Sequence, residues 1–455
     1  MSMTESSLIS QPDVAAADVV AANQGSQRHT AMIGFVALSL LVTMSLGQIE
    51  GFQRGSLQYW LVVAPALLFP LLDLRAIVTT LLGRAKLLLW FLLLAGSWHF
   101  FKGDTRAVVP LCALVLGMTW ISTDRAQINV QDLTRLYLIV VLVGLLISFL
   151  SDFNRYGIVP GFSDPIYGLW RVSFFPNIAY TGTLSLVMVL VLTRTKAGIR
   201  QHPIVFVVAS YFLVFSQVRG ALIALLIYAV LYRYFCKDRA IRPNRMFWIA
   251  LIVAFGVPLA VFWSAGLLYA LQNNGVVSAL FLRGETNLSI DDILFQLYRP
   301  WLWATHLHLF LSSPAWMGWG SPEFYQSVLD ATGPPLATTG SESLPTRLLA
   351  SYGIAGIFFT LYLVRLLRES DRRDDRWACA CFPAVFFLLM SWGSIFHPTD
   401  AMFVLLLLTV TRGSAGFVSG LTNCPEPAAG QEQTIEITPI EQSPCNPPPS
   451  SIPLQ

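Results

Sequence analysis

Three arginines and a glutamate have the types and settings that phosphate chemistry needs. Arg171 lies in Trp170-Arg171-Val172-Ser173-Phe174-Phe175-Pro176-Asn177, Arg219 in the tight turn Phe215-Ser216-Gln217-Val218-Arg219-Gly220, and Arg299 ahead of Pro300 and Trp303. A guanidinium presents a planar fork of N–H donors that matches phosphate oxygens two at a time, and it loses water at less cost than an ammonium. Three of them on one side of a membrane would make a clamp for a diphosphate. The plainer reading of each is a side chain snorkelling to headgroups, or an ion pair with Asp152, Asp164 or Glu285. Glu342 sits in Ser341-Glu342-Ser343-Leu344-Pro345, just before a helix start. There it either complements the helix N-terminus or orients and deprotonates an acceptor hydroxyl. Both roles stay open.

Around these residues stand side chains suited to holding a substrate: Asn177, Ser216, Trp303, His306 and Ser343. They are joined by the stretch Met317-Gly318-Trp319-Gly320-Ser321-Pro322. Gly318 and Gly320 free the backbone to turn or to approach a ligand, and Trp319 suits stacking on a sugar ring or anchoring at an interface. Arg299, Trp303 and His306 are spaced i, i+4, i+7, which puts them on one face of a helix. That face is expected along the membrane surface, aimed at a lipid headgroup. His306 and His308 would point to different faces, so they make no metal pair. Cys379 and Cys381 open an apolar helix and read as packing. The chain has no phosphate-binding loop, dinucleotide-binding glycine motif or zincin motif. No metal, cofactor, disulfide or nucleic-acid partner is expected.

The elements that must position these residues are membrane helices. Of the 455 residues 55% are hydrophobic and only 12% charged, against about 25% charged in a soluble domain. The expected fold is all-α, a polytopic membrane helix bundle of about 12 spans. Apolar runs fall at 31–47, 57–72, 86–101, 107–122, 135–151, 176–193, 203–217, 220–235, 247–270, 345–366, 376–396 and 400–412. This divides the chain into a tail 1–30, spans one to nine over 31–270, a large outer loop 271–343, spans ten to twelve over 344–412, and a tail 413–455. Both tails read as disordered and cytoplasmic. With the N-terminus inside, 20 of the 29 Lys and Arg residues fall in inside segments and 9 outside, a strong positive-inside bias.

That bias decides how the turn at Arg219 runs. As one helix, 203–235 would be about 50 Å long against a hydrocarbon core of about 30 Å. It would hold Arg219 near mid-bilayer, at about 2.5–3.5 kcal/mol. Segments 194–202 and 233–246 are both basic and therefore cytoplasmic, so two spans lie between them and the turn faces outward. The outer loop 271–343 is expected to contain short helices. Ser289-Ile290-Asp291-Asp292 has the form of a capping box, and Pro300 suits the first turn of a second helix over 300–311.

In order and spacing these pieces resemble the O-antigen ligase and polysaccharide polymerase family of bacterial membrane proteins. The matching residues are Arg171, Pro176 and Asn177, then Ser216, Arg219, Gly220 and Ala221. Next come Arg299, Trp303 and Ala304, then Pro314 with Gly318-Trp319-Gly320, and last Glu342-Ser343 with Tyr352-Gly353-Ile354-Ala355-Gly356. The likeness covers roughly 165–365. Family members often carry serine directly before the arginine, where this chain has Val218; ligases place a histidine near the position of Glu342-Ser343, which favours the polymerase branch. The resemblance implies a metal-independent glycosyltransferase of the inner membrane that polymerises undecaprenyl-diphosphate-linked units into exopolysaccharide or O-antigen on the periplasmic face. The acceptor hydroxyl attacks with inversion and the lipid diphosphate leaves. Arg219 and Arg299 would hold the diphosphate, Arg171 would assist, and Glu342 would activate the acceptor. The partners implied are the lipid-linked oligosaccharide, the bilayer and a polysaccharide chain-length regulator. The alternatives are an O-antigen ligase acting on a lipid A-core acceptor and, in another class, a transporter.

Overall fold

The computed structural model describes residues 34, 36–39, 41–42, 57–123, 130–151, 171–175, 178–194, 196–237, 245, 248, 252, 256, 259–260, 263–282, 285–296, 299–321, 324, 344–372 and 376–390. These residues are 84% helical and hold no strand, so the fold is all-α. Both expected tails, the expected span 400–412, and Asn177, Glu342 and Ser343 lie outside the described residues.

Helix α1 (Leu57–Leu68) tightens into a 3-10 turn at Phe69–Asp73, where Pro70 withholds the N–H that a continuing α turn would use. Helix α2 (Leu74–Leu82) follows. The stretch Leu71–Leu82 meets α3 (Lys86–Phe101) at 95°. The segment after the second apolar run is therefore helical, where sequence reading left a connection. A π turn at Leu92–Gly96 interrupts α3. Then come α4 (Thr105–Ile121), α5 (Val130–Ser151), α6 (Ile178–Leu192), α7 (Lys196–Gln201), α8 (Pro203–Phe215) and α9 (Arg219–Lys237). Pro203 opens α8 at a position whose N–H has no partner in any helix.

A short helix α10 (Ala265–Ala270) closes the expected ninth apolar run, and the sequence 271–343 forms the short helices α11 (Gly275–Phe281), α12 (Ile290–Gln296) and α13 (Arg299–Ser312). Asn274 caps α11 by accepting from Val276 and Val277 N–H at 3.0 and 3.3 Å. The Ser289 hydroxyl accepts from Asp292 N–H at 3.1 Å while the Asp292 carboxylate accepts from Ser289 N–H at 3.0 Å, a closed capping box. The last helices are α14 (Leu344–Tyr352), α15 (Ala355–Arg372) and α16 (Arg376–Met390). The run 345–366, which reads as one span, is thus two helices, broken at Gly353 with φ +59°.

Helix α6 is the pillar of the bundle: apart from Ala179 and Leu184 all of its residues are buried. It packs on α8 and α9, and α16 packs along α9. The Trp377 indole N–H donates to Leu190 O at 2.8 Å, tying α16 to the pillar. On the other side Phe91 of α3 meets Tyr352 and Phe359 at centroid distances of 5.5 and 5.7 Å.

The core is largely apolar with buried hydroxyls among it, and apolar side chains also line exposed faces of several helices. The exposed positions of α8 are Pro203, Ile204, Val207, Val214 and Phe215, all apolar. On α9 the exposed stripe is Ile223, Leu226 and Val230, and on α5 Ile139, Leu142 and Leu146. Inside lie hydroxyls, among them Thr181, Thr183, Ser185, Thr119 and Ser122. The Tyr137 hydroxyl meets Ser185 Oγ at 2.8 Å, and Ser122 meets the Tyr362 hydroxyl. Among the described residues, one helix is by length and apolar character long enough to cross a membrane, Val130–Ile147 of α5, or two if the bent pair is one span. Thr105–Trp120, Ile178–Leu192, Pro203–Phe215, Ala355–Leu366 and Trp377–Leu388 are apolar but shorter.

Candidate functional site

The segments carrying Arg171 and Arg219 lie side by side. Val172 N–H donates to Phe215 O at 3.0 Å, which lays residues 171–175 against the end of α8. The segment is held from three directions. Ser173 Oγ donates to Phe175 O at 2.6 Å and lies 2.6 Å from Thr181 Oγ1, which also accepts from Phe174 and Phe175 N–H at 3.3 and 3.2 Å. Phe174 packs edge-on against Phe212 and Tyr137, at 4.9 and 6.1 Å. A Cβ at Gly144 of α5 would stand 2.3 Å from Phe174 O, so that helix meets the segment's backbone directly.

The turn itself is equally fixed. Ser216 is fully buried and its hydroxyl donates back to Leu213 O at 3.1 Å. Gln217 takes φ +52°, which ends α8, and Val218 O accepts the first N–H groups of α9, from Ala221 at 2.9 Å and Leu222 at 3.1 Å. Arg219 is therefore the first residue of α9 and, like Arg171, is half-buried. Val218 packs where the Cβ of Gly182 would be: that atom would stand 2.6 Å from Val218 Cγ2 and 2.7 Å from Ser216 Oγ. Val218 thus serves as packing against α6.

The turn 315–321 makes a second polar centre. Trp319 N–H donates to Ala350 O, Gly320 N–H to Ser351 O, and Ile354 N–H to Trp316 O, each at 2.9 Å. The turn thereby takes over the end hydrogen bonds of α14. Gly318 and Gly320 have φ +81° and +89°, and both come close to protein backbone or side chains. A Cβ at Gly318 would lie 2.3 Å from Ser351 O, and one at Gly320 would lie 2.1 Å from Asp104 Oδ2 and 2.9 Å from His99 Nδ1. The Asp104 carboxylate accepts from Ala107 N–H at 3.1 Å and from Ser321 N–H at 2.7 Å. The Tyr352 hydroxyl donates to Ala107 O at 2.8 Å beside it. The Trp319 indole N–H donates to Leu309 O at 2.8 Å. The Lys102 ammonium lies 5.8 Å from the Trp319 ring centre and 5.3 Å from that of Phe324. Burial lowers the Lys102 pKa, and the charge of Asp104 opposes that shift.

Helix α13 turns its Trp303–His306 face inward. Both side chains are buried, and His306 Nδ1 lies 3.2 Å from Thr346 Oγ1 on α14. Burial, with the Arg347 guanidinium adding to it, pushes the His306 pKa down to about 3. The expected face along the membrane surface is instead a packing face between α13 and α14. Residues of α13 that do face outward include Leu307 and Leu311. Arg347 is itself 1% exposed, the largest fully buried side chain described.

No known protein family and no characterised protein matches this chain. Of the residues singled out in the sequence, the structure lays the segment of Arg171 beside the turn that carries Ser216 and Arg219. It brings Trp303, His306, Gly318, Trp319 and Gly320 together in the layer formed by α13, α14 and the turn 315–321. Arg299 begins α13. Sequence reading passed over Gly182, Asp104, Lys102, His99 and Arg347. The run Thr181-Gly182-Thr183, small and polar inside an apolar helix, was the available signal for the first. Lys102-Gly103-Asp104 read only as a connection, because its partners lie more than two hundred residues on.

Proposed function

We propose that the protein is a polytopic inner-membrane glycosyltransferase of the polymerase type, extending undecaprenyl-diphosphate-linked oligosaccharide on the periplasmic face. The observation that carries this reading is the Val172–Phe215 hydrogen bond, which sets two arginine-bearing segments together at the end of the central pillar. The apolar exposed stripes of α5, α8 and α9 support a lipid surroundings. They suit a bundle whose remaining apolar helices also face lipid, several of them short for a full span.

In the reaction the acceptor hydroxyl oxygen attacks the anomeric carbon of the donor sugar. The bond from that carbon to the diphosphate oxygen breaks, and its electron pair leaves with the lipid diphosphate. Arg219 and Arg299 stabilise the charge that grows on that oxygen, Arg171 assists, and Glu342 takes the hydroxyl proton. Guanidinium groups do this without a change in protonation, since they stay charged at every working pH.

The test is Arg219→Lys and Arg219→Ala, read as glycan ladders on gels at matched protein level. Loss of long chains is expected in both, because lysine keeps the charge but not the fork. Long-chain polymer at wild-type length in both variants would sink the role. Deleting the protein separates polymerase from ligase: single repeat units on their normal acceptor indicate lost polymerisation, and unattached lipid-linked polymer indicates lost ligation. Unaltered surface glycan together with a defect in solute uptake would favour a transporter.

A further inference from the structure

We infer that Asp104 is a positioning residue, a clasp that fixes the outer turn 315–321 and through it the arginine-bearing helix α13. The inference rests on the glycosyltransferase reading above for what α13 holds, and on geometry alone for the clasp. Asp104 is 2% exposed. A carboxylate so buried needs strong donors around it. It has two backbone N–H groups, one at the start of α4 and one at Ser321. A helix cap uses a single oxygen, and serine, threonine or asparagine would serve as well. The second oxygen does what a cap does not require: at 2.7 Å it holds a residue 217 positions away.

The turn is shaped to receive it. Only glycine leaves room at position 320, since a Cβ there would stand 2.1 Å from Asp104 Oδ2. From the turn the connection runs to α13 by the Trp319 indole bond to Leu309 O at 2.8 Å and by Gly318 N–H to Ser313 Oγ at 3.2 Å. Asp104 therefore joins the outer end of the α3–α4 pair to the helix that begins with Arg299. The ligand this helix faces in the proposed reaction is a lipid diphosphate, so loosening the clasp should weaken binding of that group.

The experiment compares Asp104→Ser with wild type in the purified full-length protein in lipid nanodiscs. Serine still caps α4 but is too short to reach Ser321. Hydrogen exchange across 318–321 should speed up about 10- to 100-fold, the worth of a hydrogen bond to a charged group, while the first turn of α4 stays protected. The dissociation constant for undecaprenyl diphosphate should rise about tenfold. Exchange like wild type in Asp104→Ser would show a cap and nothing more. A loosened turn with unchanged undecaprenyl diphosphate binding would overturn the positioning role. Gly320→Ala pushes on the same contact from the other side without touching the cap, and the same exchange signature is expected. If both Arg219→Lys and Arg219→Ala leave polymer unchanged, the diphosphate role of Arg219 fails while the exchange result still stands or falls by itself.

Discussion

Val172 N–H donates to Phe215 O at 3.0 Å, and this bond joins two stretches whose arginines are 48 positions apart in the chain. Its neighbours make it rigid: Thr181 fills the corner beneath it, and Gly182 lets the 216–218 turn lie directly on α6. Two half-buried guanidinium groups on separate segments thus depend on one small residue of the central helix.

Gly182→Ala should therefore act on both arginines at once. The added methyl meets Val218 and Ser216 at 2.6–2.7 Å, and overpacking of this kind costs about 1–3 kcal/mol. We expect a lower unfolding temperature in detergent together with shortened glycan chains. Gly266→Ala, where nothing lies within 4 Å of the added Cβ, should leave both unchanged. A Gly182→Ala protein as stable as wild type would mean that the turn yields without cost.

Gly353→Ala should be more damaging. Its φ is +59° and its Cβ would stand 2.0 Å from Trp316 O, so backbone strain and overlap add to about 3 kcal/mol or more. The measurement is the amount of folded protein recovered from membranes, expected to fall well below that of Gly266→Ala. Equal recovery would contradict the interlock.

The His306 imidazole gives a pH dependence whose sign is fixed. Folding holds its pKa at about 3, against 6.5 in the free chain. Between those values the unfolded state binds more protons, so stability falls as pH drops through this window and is flat above it. His306→Gln should remove that part of the slope between pH 7 and 4, measured by thermal unfolding. Arg347→Met deletes a positive charge that helps lower the His306 pKa, so the folded value should move back toward 6.5 and the acid loss should be smaller in total and end at a higher pH. An identical slope in His306→Gln would place the acid sensitivity elsewhere.

Leu226 tests the surroundings of the bundle. It is 64% exposed on the apolar stripe of α9. In water Leu226→Asp would change stability by at most about 0.5 kcal/mol. In lipid it should cost about 2.5–3.5 kcal/mol near mid-helix and deplete the membrane fraction. Normal amounts of folded Leu226→Asp protein would remove the lipid-facing assignment of that stripe.

Much of this architecture was legible in the sequence because it is written in local rules. Apolar runs bounded by basic segments located most of the helices, Pro203 marked the start of α8, and the Ser289–Asp292 box marked the start of α12. The break at Phe215-Ser216-Gln217-Val218 followed from the cost of carrying an arginine through a single long helix. What sequence did not give were effects with distant partners. Nothing near Gly353 announces that Trp316 takes its place, and Asp104 finds Ser321 only in three dimensions. The inward face of α13 was misjudged for a similar reason. A spacing of i, i+4, i+7 defines a face, but whether lipid or α14 meets it depends on where α14 lies.

The break between α14 and α15 has a consequence for how the chain is made. Residues 345–366 leave the ribosome as one largely apolar stretch, and the groups that divide it, on Trp316, Trp319 and Gly320, belong to a turn synthesised earlier. Those groups reach their partners only when the turn folds back onto the helices made after it. The two pieces therefore separate only as tertiary structure forms, and the turn 315–321 acts as a template for the junction that follows it.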